Sequence, residues 1–174
     1  MTRIRQPRGF SLIEVVIAAG IFAGAVAVII GLMAVLARQA TETSESLAAR
    51  RLPDALKVEL ERLAAGGFDT LAAQCPIMDA PPGDGLKFVA ARDVAEVQSL
   101  TYLPPTATGR IPPDAQFYLV ECWRFPAEPL RFDSSKAFLA LHVRITWPFR
   151  LPGLLAPAAE ANRSQVTFAV SINR

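Results

Sequence analysis

Cysteine and histidine are scarce in this chain, and their scarcity excludes the commonest protein-built metal sites. The 174 residues include two cysteines, Cys75 and Cys122, and one histidine, His142. Three such side chains cannot supply the four ligands of an all-Cys/His zinc site, and no CxxC motif is present. Asp79 and Asp84 lie in a turn-rich segment, where two acids at this spacing are more typical of turn structure than of calcium binding. We predict neither a metal ion nor a cofactor.

An excess of charge of one sign is also missing. The formal net charge is only +2, and Arg3, Arg5 and Arg8 of the first nine residues account for more than this surplus. The sequence therefore does not indicate the basic surface that nucleic-acid binding requires, and we predict no nucleic-acid partner.

Catalytic motifs are lacking as well. His142 falls on the polar face of a predicted strand, and Ser134 and Ser135 stand outside any nucleophile-elbow pattern. The glycine-rich segment 82–85 lacks the Lys-Ser/Thr pair of a phosphate-binding loop. We predict that the chain is not an enzyme.

The most prominent feature that is present is an apolar run from Val15 to Ala37, which follows directly after Glu14. As a helix it extends about 34 Å, enough to cross a hydrocarbon core of about 30 Å. Its Val, Ile, Leu and Phe residues contribute about −4 to −7 kcal/mol to membrane insertion, and Glu14 lies at the edge of the run, where a charge costs least. The sequence predicts a membrane-spanning helix.

The residues before the run orient it. Three arginines and no acid precede Glu14, so the positive-inside rule places the N-terminus in the cytoplasm and the C-terminal part across the membrane. Two simpler interpretations remain open. One is a cleaved signal peptide, with Val35-Leu36-Ala37 as the cleavage site, although the run is longer than a signal-peptide core. The other is a plain uncleaved anchor, in which Glu14 is merely tolerated near the headgroups.

The junction Gly9-Phe10-Ser11-Leu12-Ile13-Glu14-Val15 closely resembles the cleavage signal of type IV pilins and type II secretion pseudopilins. The resemblance implies that a prepilin peptidase removes residues 1–9 as a leader by cutting between Gly9 and Phe10. It implies that Phe10 is then N-methylated, and that Glu14 serves filament assembly. The implied partners are the peptidase, other pilin or pseudopilin subunits bound through the N-terminal helix, and inner-membrane lipid.

The position of Glu14, four residues after Phe10, also has a chemical rationale. Among the apolar helices of a filament its carboxylate needs a partner, and the N-terminal ammonium of a neighbour's Phe10 fits that need. At about 4 Å and an effective dielectric near 20 such a pair is worth about 4 kcal/mol, most of it offset by desolvation.

Within the run, Gly20, Gly24 and Gly31 form a small-residue face that permits close helix packing, or that simply tolerates lipid.

Helical periodicity continues beyond the membrane segment. Leucines recur at helix-face spacing, and no glycine or proline interrupts the polar stretch before Pro53. The sequence predicts one helix from about Phe10 to Ala65, with a membrane or filament half (10–37) and an amphipathic half (38–65), ended by Gly66-Gly67. Pro53 predicts a kink, or alternatively the first turn of a second helix.

Residues 66–174 are predicted to form a periplasmic antiparallel β domain. The segment Phe68–Gly85 is expected to be a loop. The predicted strands, arranged as a meander with the long helix over one sheet face, are Leu86–Ala91, Val97–Leu103, Gln116–Arg124, Leu139–Trp147 and Val166–Ile172. The expected fold class is α+β, and this layout resembles the pilin fold.

The two cysteines admit two interpretations. In an oxidising compartment Cys75 and Cys122 can form a disulfide, and otherwise they are unrelated thiols, with Cys122 a buried strand residue.

Together these features lead us to expect a structural subunit, a minor pilin or minor pseudopilin of a type IV pilus or type II secretion filament. It would be a single-pass inner-membrane protein before it enters the filament. One alternative is a membrane-anchored periplasmic binding, adhesion or DNA-uptake protein, for which Trp123-Arg124-Phe125 is the main candidate cluster. Another is a periplasmic enzyme behind a simple anchor, using His142 or Ser134 and Ser135.

Overall fold

The computed structural model describes residues 11–79, 84–94, 96–101, 110–151, 153–154 and 156–174. The chain divides into two compact units, Met1–Ser44 and Glu45–Arg174.

The N-terminal helix is long and bent. Its first part, α1, spans Leu12–Ala49, and its second part, α2, spans Leu52–Ala65. The bend falls at Arg50 and Arg51, where the Arg51 N–H donates to the Ala48 carbonyl at 3.0 Å in a tightened turn. Pro53 causes this break because it has no N–H for the carbonyl of Ala49 and its ring crowds that carbonyl. The predicted kink is confirmed, two to three residues before the proline, and Pro53 lies in the first turn of α2.

A short third helix corrects the expected loop. Helix α3 spans Phe68–Gln74, inside the segment predicted to be irregular. It forms because Phe68, Leu71 and Ala72 follow the i, i+3, i+4 pattern and are all buried. Gly67 separates α2 from α3 with a φ of +147°, a conformation that side-chain-bearing residues rarely adopt.

Five antiparallel strands form one sheet. They are β1 (Leu86–Ala90), β2 (Val97–Ser99), β3 (Tyr118–Arg124), β4 (Phe138–Trp147) and β5 (Ser164–Asn173), and short 3-10 turns precede β3 (Pro113–Ala115) and β5 (Glu160–Asn162). Each predicted strand is therefore confirmed, although β2 ends at Ser99 and residues 102–109 lie outside the described part of the chain.

The predicted meander is wrong in its order. The strands are arranged β2-β1-β3-β4-β5, so β3 pairs with β1 and not with β2. The difference is one of length: all five residues of β1 pair with β3, and its last three also pair with β2, which has only three residues and forms an edge although all of them are buried.

The core lies between α2 and one face of the sheet. Leu52, Leu56 and Leu60 of α2 are fully buried and belong to one cluster with inward-facing strand residues, which include Phe88, Val120, Leu139, Leu141, Val143 and Ile145. The predicted inward face of β4 is confirmed, because Leu139, Leu141, Val143, Ile145 and Trp147 are all buried, although Ala140 and Thr146 of the other face are buried too. The α+β layout, with the helix covering one sheet face, is therefore confirmed.

The last turn of α1 belongs to this packed unit. The Tyr118 hydroxyl donates to the Glu45 carbonyl at 3.1 Å, and Arg92 pairs with the Glu45 carboxylate. Burial raises the pKa of Tyr118 to about 12. These contacts hold the end of α1 beside the sheet.

The opposite face of the sheet is covered only in part. A smaller cluster of Val89, Leu119 and Phe149 lies there. Glu121 and Arg144 pair across β3 and β4 with an Nη2–Oε2 distance of 2.7 Å, and Arg144 also lies over the Trp123 ring at 5.0 Å. Glu121 is almost fully buried, so the ion pair compensates for its lost hydration.

Candidate functional site

The membrane-length part of α1 has no partner within its own unit. Every side chain from Ser11 to Ser44 is exposed, including large apolar residues such as Ile21 and Phe22. By length and composition this helix is able to cross a membrane, and none of its most apolar window is buried. The core helix of a soluble domain would bury such a surface, so this apolar surface needs lipid or another chain.

The first turn of α1 is closed by a reciprocal capping box. The Ser11 N–H donates to a Glu14 carboxylate oxygen at 2.9 Å, and the Ser11 hydroxyl donates to the same oxygen at 3.1 Å. In return the Glu14 N–H approaches the Ser11 hydroxyl oxygen at 3.4 Å. Two backbone N–H groups that have no intrahelical acceptor are thereby satisfied.

This role of Glu14 was missed in the sequence, although its signature is present. Ser11 followed three residues later by Glu14 is the S-x-x-E pattern that marks a helix start before an apolar run. Within the single chain Glu14 therefore already has a partner. If Glu14 also acts in assembly, its carboxylate must release Ser11 and bind another group.

Glu14 also lies at the end of an apolar helix face. Val15, Ala18, Ala19 and Phe22 share this face with Glu14, because their spacing places them on one side of the helix. A neighbouring helix against this face would meet one carboxylate and otherwise only apolar side chains.

The three glycines of α1 face open space. A Cβ added at Gly20, Gly24 or Gly31 would meet no heavy atom within 4 Å. No contact in this chain requires their small size, so their predicted role in helix packing stays a prediction. Gly9 and Phe10, the predicted processing residues, lie outside the described residues.

The structure brings the two cysteines together in the core. Cys75 ends α3 and Cys122 lies in β3, and both are fully buried in the same cluster. Burial raises the pKa of the Cys75 thiol to about 12. Burial, with a further contribution from the nearby Cys75, raises the pKa of Cys122 well above its ordinary value.

The residues considered for catalysis are not brought together. His142 packs on Trp123 and Phe125, each ring centroid 6.1 Å away, and burial followed by the charge of Arg144 lowers its pKa. Ser135 lies in a turn, where its N–H donates to Asp133 at 2.8 Å, and the Ser134 carbonyl accepts from Arg174. Within the described part of the chain, no contact joins either serine to His142.

The other candidates are placed as follows. Asp84 pairs with Lys87 at 2.9 Å, which lowers the pKa of its carboxyl group, and residues 80–83 next to Asp79 are not described. Among the described residues no group of three or more His, Cys, Asp and Glu side chains is arranged to hold a metal ion. Trp123, expected in an exposed binding cluster, is instead 1% exposed within β3.

No family model, curated protein or solved structure matches this chain. The arrangement itself, a long N-terminal helix packed on a small antiparallel sheet, is compatible with a pilin-like fold.

Proposed function

We propose that this chain is a structural subunit of a type IV pilus or type II secretion filament, of the minor pilin or minor pseudopilin kind. The observation that carries the proposal is the first turn of α1. There the Ser11–Glu14 box opens a helix of exposed apolar side chains, immediately after the Gly9-Phe10 junction.

In this proposal the chain first spans the inner membrane once, with residues 1–9 in the cytoplasm and Glu45–Arg174 in the periplasm. A prepilin peptidase cuts after Gly9 and methylates Phe10. The helix stays attached because it is the anchor, and the chain is drawn from the membrane into the filament.

The exposed apolar surface of α1 suits both the membrane and the filament. Lipid tails are about as apolar as Leu side chains, so replacing lipid by neighbouring helices changes the hydrophobic free energy little. The open faces of Gly20, Gly24 and Gly31 permit close approach of those helices. A polar group must therefore decide how the neighbouring helices bind once they replace lipid. Glu14 is the acid at the start of this surface.

Glu14 then changes partner on assembly. In the free subunit its carboxylate accepts from Ser11, and in the filament it meets the N-terminal ammonium of a neighbour's Phe10. At about 4 Å and an effective dielectric near 20 this charge pair is worth about 4 kcal/mol before desolvation. Because only one axial stagger brings the two charges together, the pair would set the register between subunits.

The processing step is tested by intact mass and N-terminal sequencing of the chain from membranes that contain an active prepilin peptidase. We expect a chain that begins at Phe10 and is one methyl group heavier than the unmodified peptide. An unprocessed Met1, or a chain beginning at Arg38, would contradict the proposal. Gly9→Val serves as the uncleavable control.

The assembly step is tested by separating the charge of Glu14 from its capping role. Glu14→Gln keeps a side chain that can complete the capping box but removes the charge, and Ser11→Ala removes the hydroxyl that bonds to Glu14 but keeps the charge. We expect Glu14→Gln to be lost from sheared filaments and Ser11→Ala to be retained. The reverse result would make capping, and not charge pairing, the function of Glu14.

In the described part of the chain, nothing favours the rival functions. Trp123 is buried and does not provide the aromatic surface expected of a binding module, and no described contact joins His142 to Ser134 or Ser135.

A further inference from the structure

We infer that Cys75 and Cys122 form a disulfide that ties the end of α3 to the third strand of the sheet. The main chain around them carries the inference. Ile77 pairs in parallel with Arg124, and the Arg124 N–H donates to the Pro76 carbonyl at 2.7 Å. The Met78 N–H donates to the Arg124 carbonyl at 3.0 Å.

These contacts bring the two cysteines near each other. Pro76, whose carbonyl accepts from Arg124, directly follows Cys75, and Arg124 lies two residues beyond Cys122. Within the sheet Cys122 already pairs with Leu86 of β1 and Val143 of β4, so Cys75 approaches it from the end of α3 and not as a strand neighbour.

The local backbone and packing suit the bond. Cys75 has left the helical conformation, with φ −76° and ψ 115°, and so begins the extended segment that runs beside β3. Both thiols are free in this structure, and the influence of Cys75 on the pKa of Cys122 places the two sulfur atoms near each other. Both cysteines are fully buried in one core cluster.

The same burial determines when the bond forms. The thiolate is the attacking species, and the pKa of Cys75, raised to about 12, leaves very little thiolate in the folded chain at neutral pH. Oxidation is therefore fast only while the chain is still folding and the core is open.

The reaction is a thiol–disulfide exchange with a protein or glutathione disulfide as oxidant. The thiolate of one cysteine attacks the oxidant, which forms a mixed disulfide and releases one oxidant thiol. The thiolate of the other cysteine then attacks the chain's own sulfur and releases the second oxidant thiol. The chain loses two electrons and two protons, and the oxidant gains them as two thiols.

The test is refolding of the full chain in detergent micelles with a glutathione redox buffer, followed by alkylation under denaturing conditions and intact mass measurement. We expect a monomer that takes up no alkylating reagent and is two hydrogens lighter than the reduced chain. Closing a loop of about 47 residues should raise its thermal midpoint by about 10–15 °C over the reduced chain.

Two controls keep the outcome clear. Cys75→Ala leaves one thiol, so a monomer of this variant should never show the loss of two hydrogens. The folded reduced chain, placed in the same buffer without denaturant, should oxidise at least tenfold more slowly than the refolding chain. Two alkylated thiols after oxidative refolding would overturn the inference, as would an oxidised chain no more stable than the Cys75→Ala/Cys122→Ala double variant.

Only the expectation of an oxidising compartment rests on the proposed function. The refolding test needs no export and no filament, so its failure would leave the filament proposal intact. Conversely, an unprocessed N-terminus would leave the disulfide inference intact.

Discussion

The two units contain similar apolar residues in opposite circumstances. In Met1–Ser44 the described Val, Ile, Leu and Phe side chains are exposed, and in Glu45–Arg174 the leucines of α2 are fully buried against the sheet. Leu36 is 61% exposed, whereas Leu56 is fully buried. The stability of the packed unit therefore comes from its own core, whereas the first unit buries none of its described apolar side chains within itself.

The largest expected effect on stability comes from comparing a buried leucine with an exposed one. Leu56→Ala should lower the free energy of unfolding of the packed unit by about 3 kcal/mol, because it removes buried methyl groups and leaves a cavity. Leu36→Ala should change it by less than about 0.5 kcal/mol. Denaturant unfolding of the full chain in detergent, followed by fluorescence of Trp123 and Trp147 in β3 and β4, measures both. Equal effects would show that the two regions are not energetically separate.

A second test compares a buried ion pair with an exposed one. Glu121→Ala should cost about 2–3 kcal/mol, because it leaves Arg144 partly buried without its partner. Glu61→Ala, which breaks the exposed Lys57–Glu61 pair on α2, should cost about 0.5 kcal/mol or less. The same unfolding measurement at low and high salt separates them, since only the exposed pair should respond strongly to salt. A small loss for Glu121→Ala would mean that Arg144 finds water instead.

A third test concerns the start of the exposed helix, which the local hydrogen bonds of Ser11 and Glu14 stabilise. Ser11→Ala should weaken the first turn by about 1 kcal/mol, which corresponds to about fivefold faster amide exchange there. Glu42→Ala, an exposed change in mid-helix, is the matched control and should leave those amides unchanged. Unaltered exchange in Ser11→Ala would mean that the box does not hold the helix end in the micelle.

The smallest effect is the pH dependence contributed by His142. Burial lowers its pKa below the ordinary value of 6.5, so below that pH the unfolded chain binds the proton more readily than the folded chain. Its contribution to stability is present above 6.5 and declines as pH falls towards the folded pKa. His142→Gln should remove this part of the decline between about pH 8 and about pH 5. An unchanged slope in the variant would assign the decline to carboxyl groups.

Several elements could be predicted because local patterns determine them. The 3.6-residue spacing of Leu52, Leu56 and Leu60 predicted the buried face of α2, and the alternation around Val143 predicted β4. The capping box at Ser11 and Glu14 was equally predictable, since it depends only on residues three apart.

Other features depend on partners distant in the chain. The order β2-β1-β3 was not predictable because strand alternation shows which face is buried and not which strand is the neighbour. The same holds for the Glu121–Arg144 pair, which requires the register of β3 with β4.

The sequence by itself determined the helix, its apolar surface and the strands, because these depend on spacing within a few residues. Only the tertiary structure decided which strand lies at the centre, that α3 forms, and that Cys75 and Cys122 share one core. Those outcomes depend on long-range packing, in which burial of apolar surface selects among pairings that local patterns leave equivalent.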